Sequence, residues 1–316
     1  MTNHQERGVG TSHAKIILIG EHSVVYGQPA IALPLKDIKT KATLTTQADG
    51  QTITSRYFQG KINELPDSMA GVGKLIAELT KHFAAEDDSF ELTIESDIPA
   101  ERGMGSSAAT AVAITRAFFD YYRTDLSRKE LLKWADVEEQ ITHRSPSGLD
   151  AATVSSDSPL WFIKGQAGSQ FSLQLDATMV IADTGIQGAT KEAINAVKQR
   201  LHDQPESTNQ LIEHLGQLAT ITKSILANNE VMKLGTVLNA AQNDLGTLGV
   251  SDASLDHLID AANQNGALGA KLTGGGRGGC MFAITHTAMG GRKLAAALTN
   301  AGAKATWIQP LGGEQA

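Results

Sequence analysis

Cysteine is nearly absent from this chain of 316 residues, where Cys280 stands alone. An internal disulfide is therefore impossible and a four-cysteine zinc site is excluded. A reducing, cytoplasmic setting is the simplest fit. No apolar run approaches the ~20 residues that a membrane-spanning helix needs. The opening stretch Met1-Thr2-Asn3-His4-Gln5-Glu6-Arg7 is polar and no apolar segment of the secretory kind follows it, so no secretory leader is expected. Basic excess is missing too, since 27 Lys and Arg face 34 Asp and Glu, a formal net charge of −7. A nucleic-acid binder would present a basic face, so that class is disfavoured. An anionic substrate would need local positive charge, because the global field does not attract it. Internal repeats, low-complexity tracts and long linkers are also lacking.

What remains is 41% hydrophobic and 19% charged, an ordinary globular composition long enough for two domains of roughly 150 residues. The β-branched run Lys15-Ile16-Ile17-Leu18-Ile19 ends at Gly20 and predicts a buried strand. Residues 39–46 and 90–94 alternate in polarity and predict two more. A helix is expected over 108–122, which is rich in Ala and free of Gly and Pro. Another is expected over 127–142, where Leu131, Ala135 and Glu139 fall four residues apart and share one face. Beyond about residue 170 the pattern gives a strand over 179–182 and helices through most of 190–264. Short strands near 271–272 and 281–284 follow, then a last helix and strand. Strands and helices without strict βαβ alternation point to an α+β architecture.

Two glycine-rich loops stand out. In Arg102-Gly103-Met104-Gly105-Ser106-Ser107-Ala108-Ala109, glycines let backbone N–H groups approach a ligand at the start of a helix. The helix dipole adds partial positive charge there, which suits a phosphate. The two serines supply hydroxyls for a phosphate or a magnesium ion. The spacing fits neither the common P-loop nor the dinucleotide fingerprint. A tight structural turn capped by Ser106 is the plain alternative. The second loop, Lys271-Leu272-Thr273-Gly274-Gly275-Gly276-Arg277-Gly278-Gly279-Cys280, places five glycines in six positions between apolar strands. A hairpin needs only one or two such residues, so close approach of backbone to phosphate or substrate is expected, with a flexible linker as the alternative. Cys280 reads as a packing residue.

Asp150 follows Pro146-Ser147-Gly148-Leu149, in a turn where a carboxylate could accept a proton from a hydroxyl or cap the next helix. Glu139 could hold Mg²⁺ or face solvent. Lys15 could serve the chemistry or sit at a strand edge, and His22 could touch substrate or pack.

Taken together, these segments resemble the GHMP kinases. Ala14 through Gly27 looks like that family's first motif, Pro99 through Ala109 like its ATP-binding motif, and Lys271 through Cys280 like its third, in the family's order. Glu21-His22-Ser23-Val24-Val25-Tyr26-Gly27 and the Pro-Ser-Gly-x-Asp string are similar to the mevalonate kinase branch, its bacterial members above all. The resemblance implies an α+β, two-domain fold, with a ribosomal protein S5 domain 2-like N-terminal domain over 1–170 and a ferredoxin-like α/β C-terminal domain over 171–316. It further implies ATP-dependent phosphorylation of the 5-hydroxyl of mevalonate with Mg²⁺ as cofactor. ATP and mevalonate would be the partners, with no nucleic acid or membrane, and a homodimer by analogy. Carried over, Pro99, Arg102, Gly103, Met104, Gly105, Ser106, Ser107, Ala108 and Ala109 would bind ATP. Ser107 and Glu139 would hold the metal, Asp150 and Lys15 would be catalytic, and Glu21, His22 and Ser147 would contact substrate. Phosphomevalonate kinase and a catalytically silent ligand sensor of the family are the alternatives. The chain departs from the family in two places: Ser12-His13-Ala14 replaces the usual Ala-Pro-Gly, and Arg277 interrupts the third glycine run.

Overall fold

The structure, a computed structural model, describes residues 4–142, 148–166 and 168–312. It divides into two compact units. The first comprises the chain up to Lys15, Pro34–Pro99 and Gly105–Asp157, and the second comprises Ile16–Leu33, Ala100–Met104 and the chain from Ser158 onward. This division differs from a single cut at residue 170. Two long strands each begin in one unit and end in the other, so no single point on the chain separates them.

In the first unit, β1 (Arg7–Ile19) opens with alternating burial: Gly8, Gly10, Ser12 and Ala14 point inward while Arg7, Val9 and Thr11 are exposed. After β1 come β2 (Ala30–Thr46), β3 (Gln51–Thr54), β4 (Gln59–Lys61), α1 (Ala70–His82), β5 (Phe90–Ser96), α2 (Ser106–Tyr121), α3 (Arg128–Thr142) and α4 (Leu149–Val154). Residues 40–46 of β2 run antiparallel to β5, β3 runs parallel to β5, and β4 closes on β3. Helices α1, α2 and α3 pack on one another around Phe83, Phe118, Phe119 and Tyr122.

The inward face of β1 lies directly on α2. A Cβ at Gly10 would stand 2.0 Å from the Ala113 carbonyl oxygen, and one at Gly8 would stand 2.5 Å from that of Ala117. Only small inward residues permit so close an approach of strand to helix. On the helix side Ala109, Ala113 and Ala117 are fully buried.

In the second unit, residues 30–32 at the start of β2 pair with β6 (Leu160–Phe162), which pairs with β7 (Ser169–Gln170). The rest is built from β8 (Thr178–Asp183), α5 (Thr190–Asp203), α6 (Pro205–Ala227), α7 (Val231–Thr247), α8 (Ala253–Gln264), β9 (Gly269–Thr273), β10 (Cys280–Thr285), α9 (Ala288–Asn300) and β11 (Ala305–Pro310). The last four strands form an antiparallel sheet in the order β11-β8-β10-β9. Numbered along the chain this order is 4-1-3-2, the split βαββαβ arrangement of ferredoxin-like sheets. Every residue of β8, β9 and β10 is buried. The outer edge of β9 is covered by side chains of α7: Ala270 N donates to Asn239 Oδ1 and Leu272 N to Gln242 Oε1. That saturates donors which an open edge would leave exposed. Among the described residues no helix is long and apolar enough to cross a membrane.

The contact between β1 and α2 yields a first prediction. Gly10→Ala should destabilise the fold by about 3 kcal/mol, the upper range for forcing a methyl into a closed core. Urea unfolding measures it, and an unchanged midpoint would mean that the strand can move away from the helix.

Candidate active site

Helix α2 starts at Ser106, two residues before its expected start, so both serines lie in its first turn. Its N-cap is Gly105, with a left-handed φ of 76°, and no side chain caps the helix. The tight turn capped by Ser106 is therefore not what forms. The N-terminal donors, left without a side-chain cap, are available to an anion.

Lys15 lies along this turn. A Cβ at Gly105 would be 2.9 Å from Lys15 Cγ and 3.1 Å from Val154 Cγ1, so only glycine fits between the lysine and α4. The Lys15 ammonium is 2% exposed and meets Asp150 Oδ1 at 2.9 Å. Asp150 itself is 34% exposed and stands inside the first turn of α4. The N-cap of α4 is Gly148, and no side chain caps that helix. Asp150 is thus not a capping residue; its carboxylate faces Lys15. Burying a cation this deeply costs several kcal/mol unless it is paired, and such pairs mark functional sites more often than stable ones.

Glu139 joins the same cluster. It is buried on α3 with Leu131 and Ala135, the face expected from its spacing. Among the described residues, its Oε2 and the hydroxyl of Ser107 are buried without a hydrogen-bond partner. Burial raises the Glu139 pKa to about 7, and the negative charges of Asp150, Asp136 and Glu138 add to the shift against the opposing effect of Lys15. Two orphaned oxygens beside accumulated negative charge fit a hard, oxygen-seeking cation. Among the described residues no group of three or more His, Cys, Asp or Glu side chains forms a complete cage, so substrate oxygens or water would complete the shell.

Glu21, His22 and Arg102 lie in the second unit. Glu21 is fully buried and ion-paired with Lys271, whose ammonium also donates to Leu272 O at 2.7 Å. Glu21 is thus tied to β9 just before His22. His22 adopts a left-handed φ of 59°, rare outside glycine, and donates from Nε2 to Gly275 O at 3.0 Å. The guanidinium of Arg102 faces inward: Nε lies 2.9 Å from Asp183 Oδ1, and Nη2 donates to Gly185 O at 3.1 Å. A phosphate-binding role for this side chain is not what its contacts show. Met104, Ala108 and Ala109 are buried and can offer only backbone groups, while Pro99 is half-buried. Ser147 lies outside the described residues.

The second glycine loop packs closely on the protein itself. A Cβ at Gly274 would be 2.6 Å from Gly103 Cα, one at Gly275 2.2 Å from Thr190 Oγ1, and one at Gly276 2.0 Å from Val250 O. At Gly278 it would be 2.7 Å from Gln187 O. What these glycines approach is the protein's own chain. Arg277 is tied down likewise, its Nε donating to Gly249 O at 3.1 Å. Cys280 is buried, and burial raises its thiol pKa well above the usual range, so it is inert.

Two family models match the chain, GHMP kinases N terminal domain over residues 71–157 and GHMP kinases C terminal over 223–304. A mevalonate kinase of Pyrococcus abyssi is 31% identical, with 93% of this chain and 92% of that protein covered. The chain belongs to the GHMP kinase family. Its fold is likewise that of solved GHMP kinases. The mevalonate kinase of methicillin-resistant Staphylococcus aureus superposes with a TM-score of 0.75 at 31% identity, covering 98% of this chain and all of that one. The L. major mevalonate kinase in complex with R-mevalonate gives 0.85 at 23% identity, covering 99% of this chain and all of that one. The archaeal and staphylococcal relatives match at the same identity, which does not single out the expected bacterial branch.

The departure from the family pattern at Ser12 has a structural use, since its hydroxyl donates to Val154 O at 2.8 Å, a contact invisible in sequence. Arg128 and Lys271 were also missed as partners, although a lysine inside a fully buried strand could have signalled a buried counter-charge.

His22 carries a pH prediction. Burial first, and the Lys271 charge second, lower its pKa from 6.5 to about 4, against the effect of its bond to Gly275. The unfolded chain thus binds a proton that the folded one refuses between these values. Stability is unaffected above pH ~6.5 and falls by about 3 kcal/mol as pH drops to 4. His22→Asn, which tolerates the left-handed backbone, should flatten this acid limb relative to the parent. Parallel unfolding curves for both proteins from pH 7 to 4.5 would contradict it.

Proposed function

We propose that this member of the GHMP kinase family transfers the γ-phosphoryl group of ATP to the 5-hydroxyl of mevalonate, giving 5-phosphomevalonate and ADP. The observation that carries the reading is the convergence of Lys15, Asp150, Glu139 and Ser107 at the N-terminus of α2. The names of the relatives supply the choice of alcohol.

On this reading, the open backbone donors at Gly105, Ser106 and Ser107 hold phosphate oxygens at the positive end of the helix dipole. Ser107 and Glu139, with their unpartnered oxygens, would hold Mg²⁺, which when bound neutralises charge on the phosphoryl oxygens. The substrate oxygen forms its bond to the γ-phosphorus as the bond to the β–γ bridging oxygen breaks. Asp150 accepts the proton that the hydroxyl releases, and ADP leaves. Lys15 holds the Asp150 carboxylate in place and offsets negative charge at the transferring group. A loose transition state asks for positioning and charge compensation more than for a strong base, and a partly exposed carboxylate beside a buried ammonium supplies both. His22 and Ser147 are assigned to the substrate, with a cation or N–H donors needed for its carboxylate.

A coupled ADP-release assay over mevalonate, phosphomevalonate, galactose and homoserine tests the substrate, and turnover of phosphomevalonate alone would replace this reading with its nearest neighbour. Asp150→Asn should lower kcat by roughly a thousandfold, within the usual range for general acid–base work, while ATP still binds. Near-normal turnover would remove Asp150 from the chemistry. Glu139→Gln should raise the Mg²⁺ concentration needed for half-maximal rate at least tenfold. An unchanged requirement would take Glu139 out of the metal shell.

A further inference from the structure

Helix α4 presents Asp150, yet it has only six residues. A helix this short does not hold its shape in water, because nucleation costs more than so few hydrogen bonds return. Something outside it must fix its position. Its last four carbonyls have no partners within the helix itself, and the structure accounts for all of them. Ala151 O accepts from Ser155 Oγ at 2.7 Å, and Thr153 O accepts from Ser156 N at 3.0 Å; both donors lie just beyond the helix. The other two are bonded from other elements: Ala152 O accepts from Arg128 Nη2 at 3.1 Å, and Val154 O accepts from Ser12 Oγ at 2.8 Å. Arg128 also donates through Nη1 to Ser155 O at 3.1 Å, so its guanidinium spans two carbonyls at the negative end of the helix. Ser12 is buried on β1, three residues before Lys15. One strand thus supplies both the ammonium that pairs with Asp150 and the hydroxyl that pins the far end of its helix.

We infer that Ser12 and Arg128 are positioning residues for phosphoryl transfer. They fix α4 at its C-terminal end and so hold the Asp150 carboxylate in register with Lys15 and the reacting hydroxyl. The inference rests on Asp150 being the proton acceptor. Neither side chain touches the reacting atoms. Arg128 sits at the rim of an open recess of about 400 Å³, lined also by Arg116, Asp120, Thr124 and Ser155. The recess gives a small cation access to the position the guanidinium occupies.

The test is a double-mutant cycle in single-turnover phosphoryl transfer with mevalonate and ATP, using Ser12→Ala and Arg128→Ala in the parent and in Asp150→Asn. In the parent, Arg128→Ala should cost 10- to 100-fold in rate and Ser12→Ala several-fold, with KM for both substrates within about twofold, as expected for a small misplacement of a reacting group. In Asp150→Asn the same changes should cost less than twofold, because the group they position is gone. Guanidinium at millimolar concentration should restore part of the rate of Arg128→Ala and leave the parent and Asp150→Asn unmoved. Equal losses in both backgrounds, or rises in KM with no guanidinium rescue, would make these residues merely structural and overturn the inference. Should Arg128→Ala fail to fold, Arg128→Lys and Ser12→Ala decide the cycle. If instead Asp150→Asn alone keeps near-normal turnover, the assignment of the proton acceptor has failed, and that is read from a different variant.

Discussion

The close packing of β1 on α2 is the constraint from which the site follows. Gly8 and Gly10 remove every side-chain atom that would hold strand and helix apart, and Ser12 and Ala14 continue the same narrow face. The strand then arrives at residue 15 against the turn that starts the helix, where Gly105 leaves room for the lysine stem. A long cationic side chain in that place cannot reach water, being 2% exposed, and must find an anion. Asp150 is that anion. Backbone proximity, set by glycine and serine far from the chemistry, thereby dictates which charges meet.

Among the described residues, the cluster gathers more negative charge than positive. Among the described residues, Lys15 opposes Asp150, Asp136 and Glu138 in shifting the Glu139 carboxyl, and burial, the largest cause, works in the same direction as the acids. Such an arrangement is unfavourable to the fold by itself. On the proposed function, it would suit a further cation with its anionic ligand, with the buried oxygens of Ser107 and Glu139 as coordinating atoms and the donors at the α2 terminus facing phosphate. Binding at such a site would return stability to the protein.

The sequence shows the elements whose signal lies in apolar periodicity. The strands at 90–96 and 178–183, the amphipathic α3 with Glu139 on its inner face, and the order of the three motifs all fall where reading predicted. What stayed hidden shares a physical reason. Residues 7–14 of β1 alternate in burial, but their inward positions are Gly, Gly, Ser and Ala, so no hydrophobic pattern marks them. The short strands β3, β4, β6 and β7 have too few residues to show a period. Partners such as Glu21 with Lys271, or Ser12 with Val154, are separated by 250 and 142 residues, and only the folded chain brings them together.

The two glycine loops look alike in composition and differ in what requires the glycine. At Gly105 the requirement is a left-handed cap and clearance for Lys15, and the space kept open lies at a helix terminus where ligand donors emerge. At Gly274, Gly275, Gly276 and Gly278 every missing side chain is replaced by the protein's own atoms. The nearest neighbours of these absent Cβ atoms are not open space. They are instead Gly103, Thr190, Val250 and Gln187. Glycine density in a sequence thus reports close approach without saying to what. Arg277, in the second loop, adopts a left-handed φ of 54° and its side chain ties back to Gly249.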